Sequence, residues 1–485
     1  MNSQVIKWIN QNGYQIPTSD IYDYIDLWNN WYKNDIEWHN YKDQYGTQRK
    51  MYTLGMAKKV CEDWASIGFT EKDTITTDLK KNNDYVKKMI KQTNLNNDLP
   101  KMIETASWSG TCAVVHRLKN VTVKNGMLIA NEDTKDELII ISADKIIPLR
   151  IEDGKIVDVA FVSNTVIGNQ KAIYIELHQL KKEGYKISNV FINAKNGNRI
   201  KVLDIVESFN TGSNIPLFSI LTTPTVNPIE DNLGLGLSVF GNAIDQLKTI
   251  DIAYHNFVMD YYLGGKKVFY NKKLIKYKTI YVTDANGNRI AKEVPIYPDD
   301  ISKQQFMSVG DDLSVNDKEL MHEYNPSLRI DENKGGLQFA LDMFSFKCNL
   351  GTEYYTFNGS KVVTRTATEF MGSRSDLVEN AKKYRENITQ FIKDIIRAGL
   401  LLARVMLKEN VDENCNVLIE NHDGILITDE ELREQYLNEI SAGLRSKISY
   451  LMKFYNMTKE QALEELALID EEENIQQNLE ENLEE

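Results

Sequence analysis

Along residues 20–108 apolar side chains recur at helical spacing, with aromatic residues prominent among them. In DIYDYIDLWNNWYKNDIEWHNY (20–41) the spacing places Tyr24, Leu27 or Trp28, Trp31 and Asp35 or Ile36 along one face. AKKVCEDWASIGF (57–69) does the same with Val60, Cys61, Trp64 and Ile67. Stripes of this kind serve as core or as subunit contact more readily than as a ligand box. From about 110 to 222 the period shortens to two. CAVVHRL, VTVKNGMLIA, ELIIIS, KIVDVAFVS, KAIYIELHQL and GYKISNVFI are short β runs between Gly, Asn and Asp turns, which predicts an antiparallel sheet or small sandwich. NGNRI occurs at 196–200 and again at 286–290, each time after strand-like residues, and both copies are read as Asn-Gly hairpin turns.

At 234 the pattern turns helical again. In GLGLSVFGNAIDQLKTIDIAYHNFVMDYYLGG the residues Phe240, Ala243, Ile244, Leu247, Ile250, Tyr254, Phe257, Val258 and Tyr261 share a stripe, with Asn242, Gln246, Thr249 and Asn256 off it. Gly264 and Gly265 end the helix, which would run about 40 Å at 1.5 Å per residue. Residues 266–330 return to β and turn chemistry. A second helix, 331–350, follows with Leu337, Ala340, Leu341 and Phe344 on its stripe, so a small β insert sits at the tip of a helical hairpin. The stretch NGSKVVTRTATEF (358–370) then combines a glycine, a β-branched run and two cations, Lys361 and Arg365, before a long helical segment over 366–408, about 65 Å if unbroken. Thr366 and Glu369 have capping-box spacing, and bends are expected at Gly372 and Gly399. The last 60 residues read as a separate helical unit with capping boxes at Thr428/Glu431 and Thr458/Gln461. They end in DEEENIQQNLEENLEE, which holds no Lys or Arg and is read as solvated.

The 485 residues suffice for two to four domains, and 42% apolar residues permit a sizeable core. Neither a secretory leader nor a membrane span is expected, because the most apolar helix, FIKDIIRAGLLLARVML (391–407), carries Lys393, Asp394, Arg397 and Arg404. The four cysteines (Cys61, Cys112, Cys348, Cys415) lie far apart and the six histidines are scattered, which suggests neither a disulfide framework nor a zinc cluster. With 70 acidic against 57 basic residues the net charge is −13. A protein that grips nucleic acid over its whole surface needs the opposite sign, since affinity comes from replacing phosphate counterions with Lys and Arg. A wall past which DNA slides does not.

Catalytic signatures are not found. The nearest strings to a phosphate-binding loop, LGGKK (263–267) and NGSKV (358–362), lack the upstream Gly and the Ser or Thr after Lys. Gly234, Gly236 and Gly241 are spaced GxGxxxxG rather than as a dinucleotide fingerprint, so a helix entry turn is expected there. DANGN (284–288) begins like a calcium loop, but Arg289 stands where that loop needs Gly. His422 and Asp423 form an isolated pair. No catalytic residue, cofactor or metal ligand is assigned. The single basic concentration, GKKVFYNKKLIKYK, sets Lys266, Lys267, Lys272, Lys273, Lys276 and Lys278 among Phe269, Tyr270 and Tyr277. It reads equally as a surface for phosphate or an acidic partner and as lysines guarding a sheet edge.

The order of these parts, α+β and mainly helical, resembles the portal proteins of tailed bacteriophages. Local strings resemble the type found in siphophages of Gram-positive bacteria: LWNNWYKNDIEWHNY, AKKVCEDWASIGF, GLGLSVFGNAIDQLKTIDIAYHNF, RTATEF leading into its helix, and SKISYLMKFYNMTKEQALEELALIDEE. The resemblance covers nearly the whole chain. It implies a wing over 1–236 with a return in 366–428, stem helices at 237–264 and 331–349, a clip at 265–330, a tunnel loop at 350–365 and a crown at 429–485. It further implies a ring of about twelve copies at a capsid vertex of the virion, assembled in the host cytoplasm, through which double-stranded DNA is packaged and ejected. Implied partners are a terminase motor, the major capsid and scaffolding proteins and a head–tail adaptor, with no membrane and no enzymatic activity. Under that resemblance Asn358, Lys361, Thr364 and Arg365 would face DNA, the six lysines of the insert would form a partner or DNA surface, and Phe240, Ile244, Leu247, Tyr254 and Phe257 would pack the stem. A nucleic-acid-processing enzyme and a head protein without a channel are the competing expectations.

Overall fold

The computed structural model describes residues 3–14, 16, 20–42, 46–68, 74–124, 127–131, 133–202, 205–271, 277–283, 289–295, 306–309, 321–356, 375–420, 429–455, 457–469 and 471. In chain order the helices are α1 (Ser3–Gln11), α2 (Ile21–Tyr32), α3 (Met56–Gly68), α4 (Lys80–Thr93), α5 (Leu95–Ser109), α6 (Ile244–Leu263), α7 (Ile330–Lys347), α8 (Ser375–Leu402), α9 (Asp429–Ser441) and α10 (Lys447–Tyr455). The strands are β1 (Asn40–Lys42), β2 (Gln48–Lys50), β3 (Thr74–Thr77), β4 (Thr111–Lys119), β5 (Thr122–Lys124), β6 (Met127–Ile129), β7 (Lys135–Ser142), β8 (Ile146–Glu152), β9 (Lys155–Ile167), β10 (Gln170–Lys181) and β11 (Gly184–Asn193). They continue with β12 (Arg199–Ile200), β13 (Ser208–Asn210), β14 (Phe218–Thr222), β15 (Lys267–Asn271), β16 (Tyr277–Thr283), β17 (Arg289–Pro295), β18 (Phe306–Val309), β19 (Met321–Tyr324) and β20 (Val417–Glu420). The chain divides into two compact units, one of residues 1–21, 62–237 and 365–485 and the other of 22–61 and 238–364.

In the first unit the period-two runs become antiparallel sheets, as expected. β12, β11, β10, β9 and β8 form one sheet, with β13 added to β11, and β14, β4 and β7 form another. The Asn-Gly turn at 196–200 closes β11 onto β12, with Ile192 opposite Arg199. α1 lays Val5 and Ile9 on the first sheet against Ile147, Ile173, Ile175 and Ile192. α8 buries Tyr384, Ile388, Phe391, Ile395 and Ile396, and Asn387 Nδ2 donates to the Thr222 carbonyl of β14 at 3.2 Å. Gly399 was expected to bend this helix. Instead it is a point of close approach, since a Cβ there would stand 2.2 Å from Met89 Sδ and 3.1 Å from His116 Cε1. The irregular turn comes later, where Ala403–Leu407 winds as a π-helix. Of the sequence-assigned capping boxes, Thr458/Gln461 forms: Thr458 N–H donates to Gln461 Oε1 (2.9 Å) and Gln461 N–H to Thr458 Oγ (3.2 Å). Thr366, Glu369, Gly372, His422, Asp423 and the Thr428 of the Thr428/Glu431 pair lie outside the described residues.

The GxGxxxxG stretch does not open a helix directly. Gly110 (φ 80°) and Gly236 stand back to back, so that a Cβ on either would lie 2.1–2.2 Å from the other's carbonyl oxygen. Gly236 N–H donates to Thr111 Oγ at 2.8 Å. Both positions are closed to any side chain, and α6 begins only at Ile244, giving it about 30 Å instead of the expected 40 Å.

In the second unit α2 turns Tyr22, Ile25, Trp28 and Trp31 inward. Tyr24, expected on the buried face, is 45% exposed, and of the alternatives Leu27 and Trp28 it is Trp28 that is buried, with Leu27 37% exposed. The sequence offered two apolar rows one residue apart, and spacing alone does not choose between them. Val60, Cys61, Trp64 and Ile67 of α3 are buried as expected.

Candidate functional site

The second unit holds α6 and α7, packed on each other as a hairpin. α6 starts without a side-chain cap, but Asp245 in its first turn complements the positive helix end and is met by Lys248 Nζ at 3.2 Å. Phe240, Ala243, Leu247 and Ile250 are fully buried. Ile244, at the start, is half-buried; beyond Asp251 burial fades, with Tyr254, Phe257 and Val258 half-buried and Tyr262 66% exposed. Of the five stem-packing residues inferred from sequence, Phe240 and Leu247 are core, whereas Ile244, Tyr254 and Phe257 are only partly covered. α7 runs the same gradient in reverse, with Leu328 and Ile330 exposed at its entry and Ala340, Leu341, Phe344 and Ser345 buried near its end.

The tip of the hairpin is closed by one carboxylate. Asp260 accepts two hydrogen bonds from Arg329 Nη2 (2.9 and 3.1 Å) and one from Asn333 Nδ2 (2.6 Å). The Asn333 and Arg329 hydrogen bonds hold its carboxyl below the usual 3.8. Gly264 follows in a crowded turn, where a Cβ would lie 2.4 Å from the Asp260 carbonyl oxygen and 2.6 Å from Leu328 Cδ2. The insert is then a three-stranded sheet with β15 central, parallel to β18 and antiparallel to β19, and a separate ribbon of β16 and β17 that pairs Thr283 with Arg289. Every residue of β16 is exposed, Tyr281 to 71%.

α7 has a second apolar row. Phe339, Met343 and Phe346, at i, i+4 and i+7, are 67%, 39% and 54% exposed, while of the row read from the sequence Ala340, Leu341 and Phe344 are buried and Leu337 is half-buried. After α7 the chain reverses through Asn349 (φ 62°) and Gly351 (φ 82°). Tyr355 then stacks on Phe344 with ring centroids 6.2 Å apart, and its carbonyl accepts Gln338 Nε2 at 2.8 Å. The segment leading to residue 356 is thus docked along α7, which no local pattern announced.

No protein-family model matches the chain, and no curated protein matches it. Solved structures do. The neck of an empty GTA particle, computed with C6 symmetry, aligns with 91% of this chain and 96% of its own at 10% identity and a TM-score of 0.40. The neck of a native GTA particle, computed with C12 symmetry, aligns with 92% and 97% at 10% identity and a TM-score of 0.41. Likeness at this level assigns no function.

The lysines of the insert separate on inspection. Lys266 is paired with Glu323 of β19, an acid 57 residues away in sequence, and Lys267 is half-buried opposite Tyr324. Lys278 is exposed on β16. Lys272, Lys273 and Lys276 lie outside the described residues, as do Asn358, Lys361, Thr364 and Arg365. Among the described residues no group of three or more His, Cys, Asp or Glu is placed to hold a metal ion, and no helix is long and apolar enough to cross a membrane. Two sets of titratable groups are drawn together in buried sites of the first unit. His116 Nδ1 lies 2.8 Å from Asp136 and its Nε2 lies 3.0 Å from the Ile395 carbonyl. His178 Nε2 lies 2.9 Å from Glu176, which Arg117 Nε also reaches at 2.7 Å. Burial would raise the Glu176 carboxyl, but His178 and Arg117 outweigh it and hold it below the usual range.

Proposed function

We propose that the chain is a portal-type protein: a ring-forming subunit at a capsid vertex of a phage-like particle, through which double-stranded DNA passes, and a platform for capsid, motor and adaptor proteins. It acts as a passive conduit and carries no chemistry of its own. In this reading α6 and α7 are the stem, residues 265–330 the clip, and the segment after Tyr355 leads to an inward loop in which Lys361 and Arg365 touch phosphates briefly. A single Lys and Arg per subunit is far from the many-contact grip of a tight DNA binder.

The observation that carries the reading is the hairpin itself. Its inner rows pack within the chain, while Phe339, Met343 and Phe346 on α7 are left to water. A contiguous exposed apolar row on a folded chain calls for a partner surface. Neighbouring copies set around a common axis would supply one along the whole hairpin.

Imaging of purified protein by negative-stain electron microscopy, with mass photometry at micromolar concentration, tests this. Closed rings of several hundred kilodaltons with an axial opening are expected, built from the 55.8 kDa chain. Compact particles without an opening would leave a head protein that lacks a channel. Because free subunits can be kinetically trapped, the same chain is also imaged at the vertex of assembled particles, and its absence there refutes the proposal.

A further inference from the structure

The residues that follow α2 lie across α6 as a strap, and nearly all of its fastenings are titratable groups. His39, fully buried, places Nε2 2.9 Å from Asp251 Oδ2, and the Leu54 N–H donates to the other oxygen of Asp251 at 3.3 Å. One turn further along α6, His255 accepts the Tyr52 N–H on Nδ1 at 3.3 Å, and Tyr41 Oη lies 3.5 Å from its Nε2. The imidazole is stacked on Tyr52 (5.9 Å, 24°) and meets Tyr41 edge-on (5.7 Å, 72°). Tyr52 in turn stacks on Tyr262 at 6.1 Å. Asp251, His255 and Tyr262 therefore form one line of attachment along the helix, and the strap arms are β1 and β2 with the residues up to Leu54.

We propose that this strap is an acid-released latch, opened when His255 takes a second proton and can no longer accept the Tyr52 amide. With Nδ1 protonated, two N–H donors face each other across 3.3 Å, and the amide of Tyr52 loses its acceptor on α6 to water. Release uncovers the face of α6 that carries Asp251, His255 and Tyr262, a surface absent at neutral pH.

The sign follows from burial, which holds the imidazole below its ordinary 6.5. A histidine that is harder to protonate in the fastened state favours that state above its free value, and this preference is lost as pH falls through the fastened value. The titratable and charged groups around it are the phenols of Tyr41 and Tyr52 from the strap, with Arg49 of β2 opposite Tyr41 and acting on Tyr52, and Asp251 one turn earlier on α6, whose oxygens are taken by His39 and the Leu54 amide. Asp251 acts in the opposite sense. Burial raises its carboxyl above 3.8 against the pull of His39, so a proton on Asp251 is taken up more easily while the strap is fastened. Replacing His255 alone separates the two.

Hydrogen–deuterium exchange of the full chain at pH 7.5 and 5.5, corrected for intrinsic rates, reads the amides of residues 46–54. Opening at the lower pH is expected to rise about fivefold, the ratio given by loss of one hydrogen bond of about 1 kcal/mol. His255→Gln keeps an acceptor that does not titrate, and its exchange should show no such rise. An equal rise in both proteins overturns the proposal. Should that variant misfold by circular dichroism, His255→Asn, which also offers an acceptor that does not titrate, is read by the same exchange, and an equal rise in it and the parent overturns the proposal.

Discussion

On the ring reading, two phenylalanines five residues apart on α7 separate what holds the chain together from what would join its copies. Phe344 is fully buried and Phe339 is 67% exposed. Truncating Phe344 to Ala leaves a cavity where its ring packs beneath Tyr355 and is expected to lower stability by about 3–5 kcal/mol. Phe339→Asp removes nothing the isolated subunit uses, so its stability should stay within about 0.5 kcal/mol of the parent. In a ring the outcome reverses. An aromatic side chain carries roughly 200 Å² of surface, so covering the free part of Phe339 removes roughly 130 Å² from water, worth about 3 kcal/mol per interface at 25 cal/mol per Å². Loss of that term weakens each subunit contact by more than 100-fold, and burying an unpaired carboxylate in its place adds to the penalty. Thermal melts of the subunit at low concentration and mass photometry across a concentration series measure the two effects. Normal assembly by Phe339→Asp would refute the assignment of this row to a subunit contact. A melt as depressed as that of Phe344→Ala would show instead that Phe339 belongs to the fold.

Three further outcomes follow from the packing and the charges. Gly399→Ala pushes a methyl group into Met89 and His116, and a loss of about 1–3 kcal/mol is expected by chemical denaturation; combined with Met89→Ala, the two losses should sum to more than the double variant shows. Glu176→Gln leaves Arg117 and His178 beside a neutral partner in a buried site, and a loss of about 3 kcal/mol or more is expected in the same assay. The depressed carboxyl of Asp260 contributes at the hairpin tip above 3.8 and ceases to as pH falls through its folded value; protection of the amides around 258–266 should therefore drop between pH 4.5 and 2.8 in the parent and not in Asp260→Asn.

The hairpin was legible because Phe240, Leu247 and Ile250, and later Ala340, Leu341 and Phe344, repeat at the helical period and bury the faces that the period names. The sheets were legible for the same reason at period two. What failed did so where tertiary contact decides. The start of α6 was placed too early because nothing local reveals that Gly236 lies against Gly110. On α2 the rows through Tyr24 and through Ile25 are equally apolar, and only the surroundings select the second. Phe339, Met343 and Phe346 were in plain view at i, i+4 and i+7, yet a helix with two apolar rows does not say which one meets its own chain. The histidine pairs are less legible still, since His39 and Asp251 lie 212 positions apart and ionisable residues carry no periodic signal. The same limit hides from the lysine-rich stretch the acid, Glu323, that β19 brings beside Lys266.

Charge and exposure together constrain how such copies could meet. Each chain carries −13, so like copies repel at long range, although physiological salt screens exposed charges beyond about 8 Å. Attraction must then be short-ranged and must not depend on net charge, and an apolar row with an exposed aromatic at each end satisfies both conditions. Exposed ion pairs would add little, because each is worth roughly 0–1 kcal/mol. On the ring reading, therefore, specificity between neighbours rests on the fit of Phe339, Met343 and Phe346 into the next subunit. On the same reading the acidic surplus would be left for the surfaces that face solvent, where it would hinder adhesion to a passing polyanion.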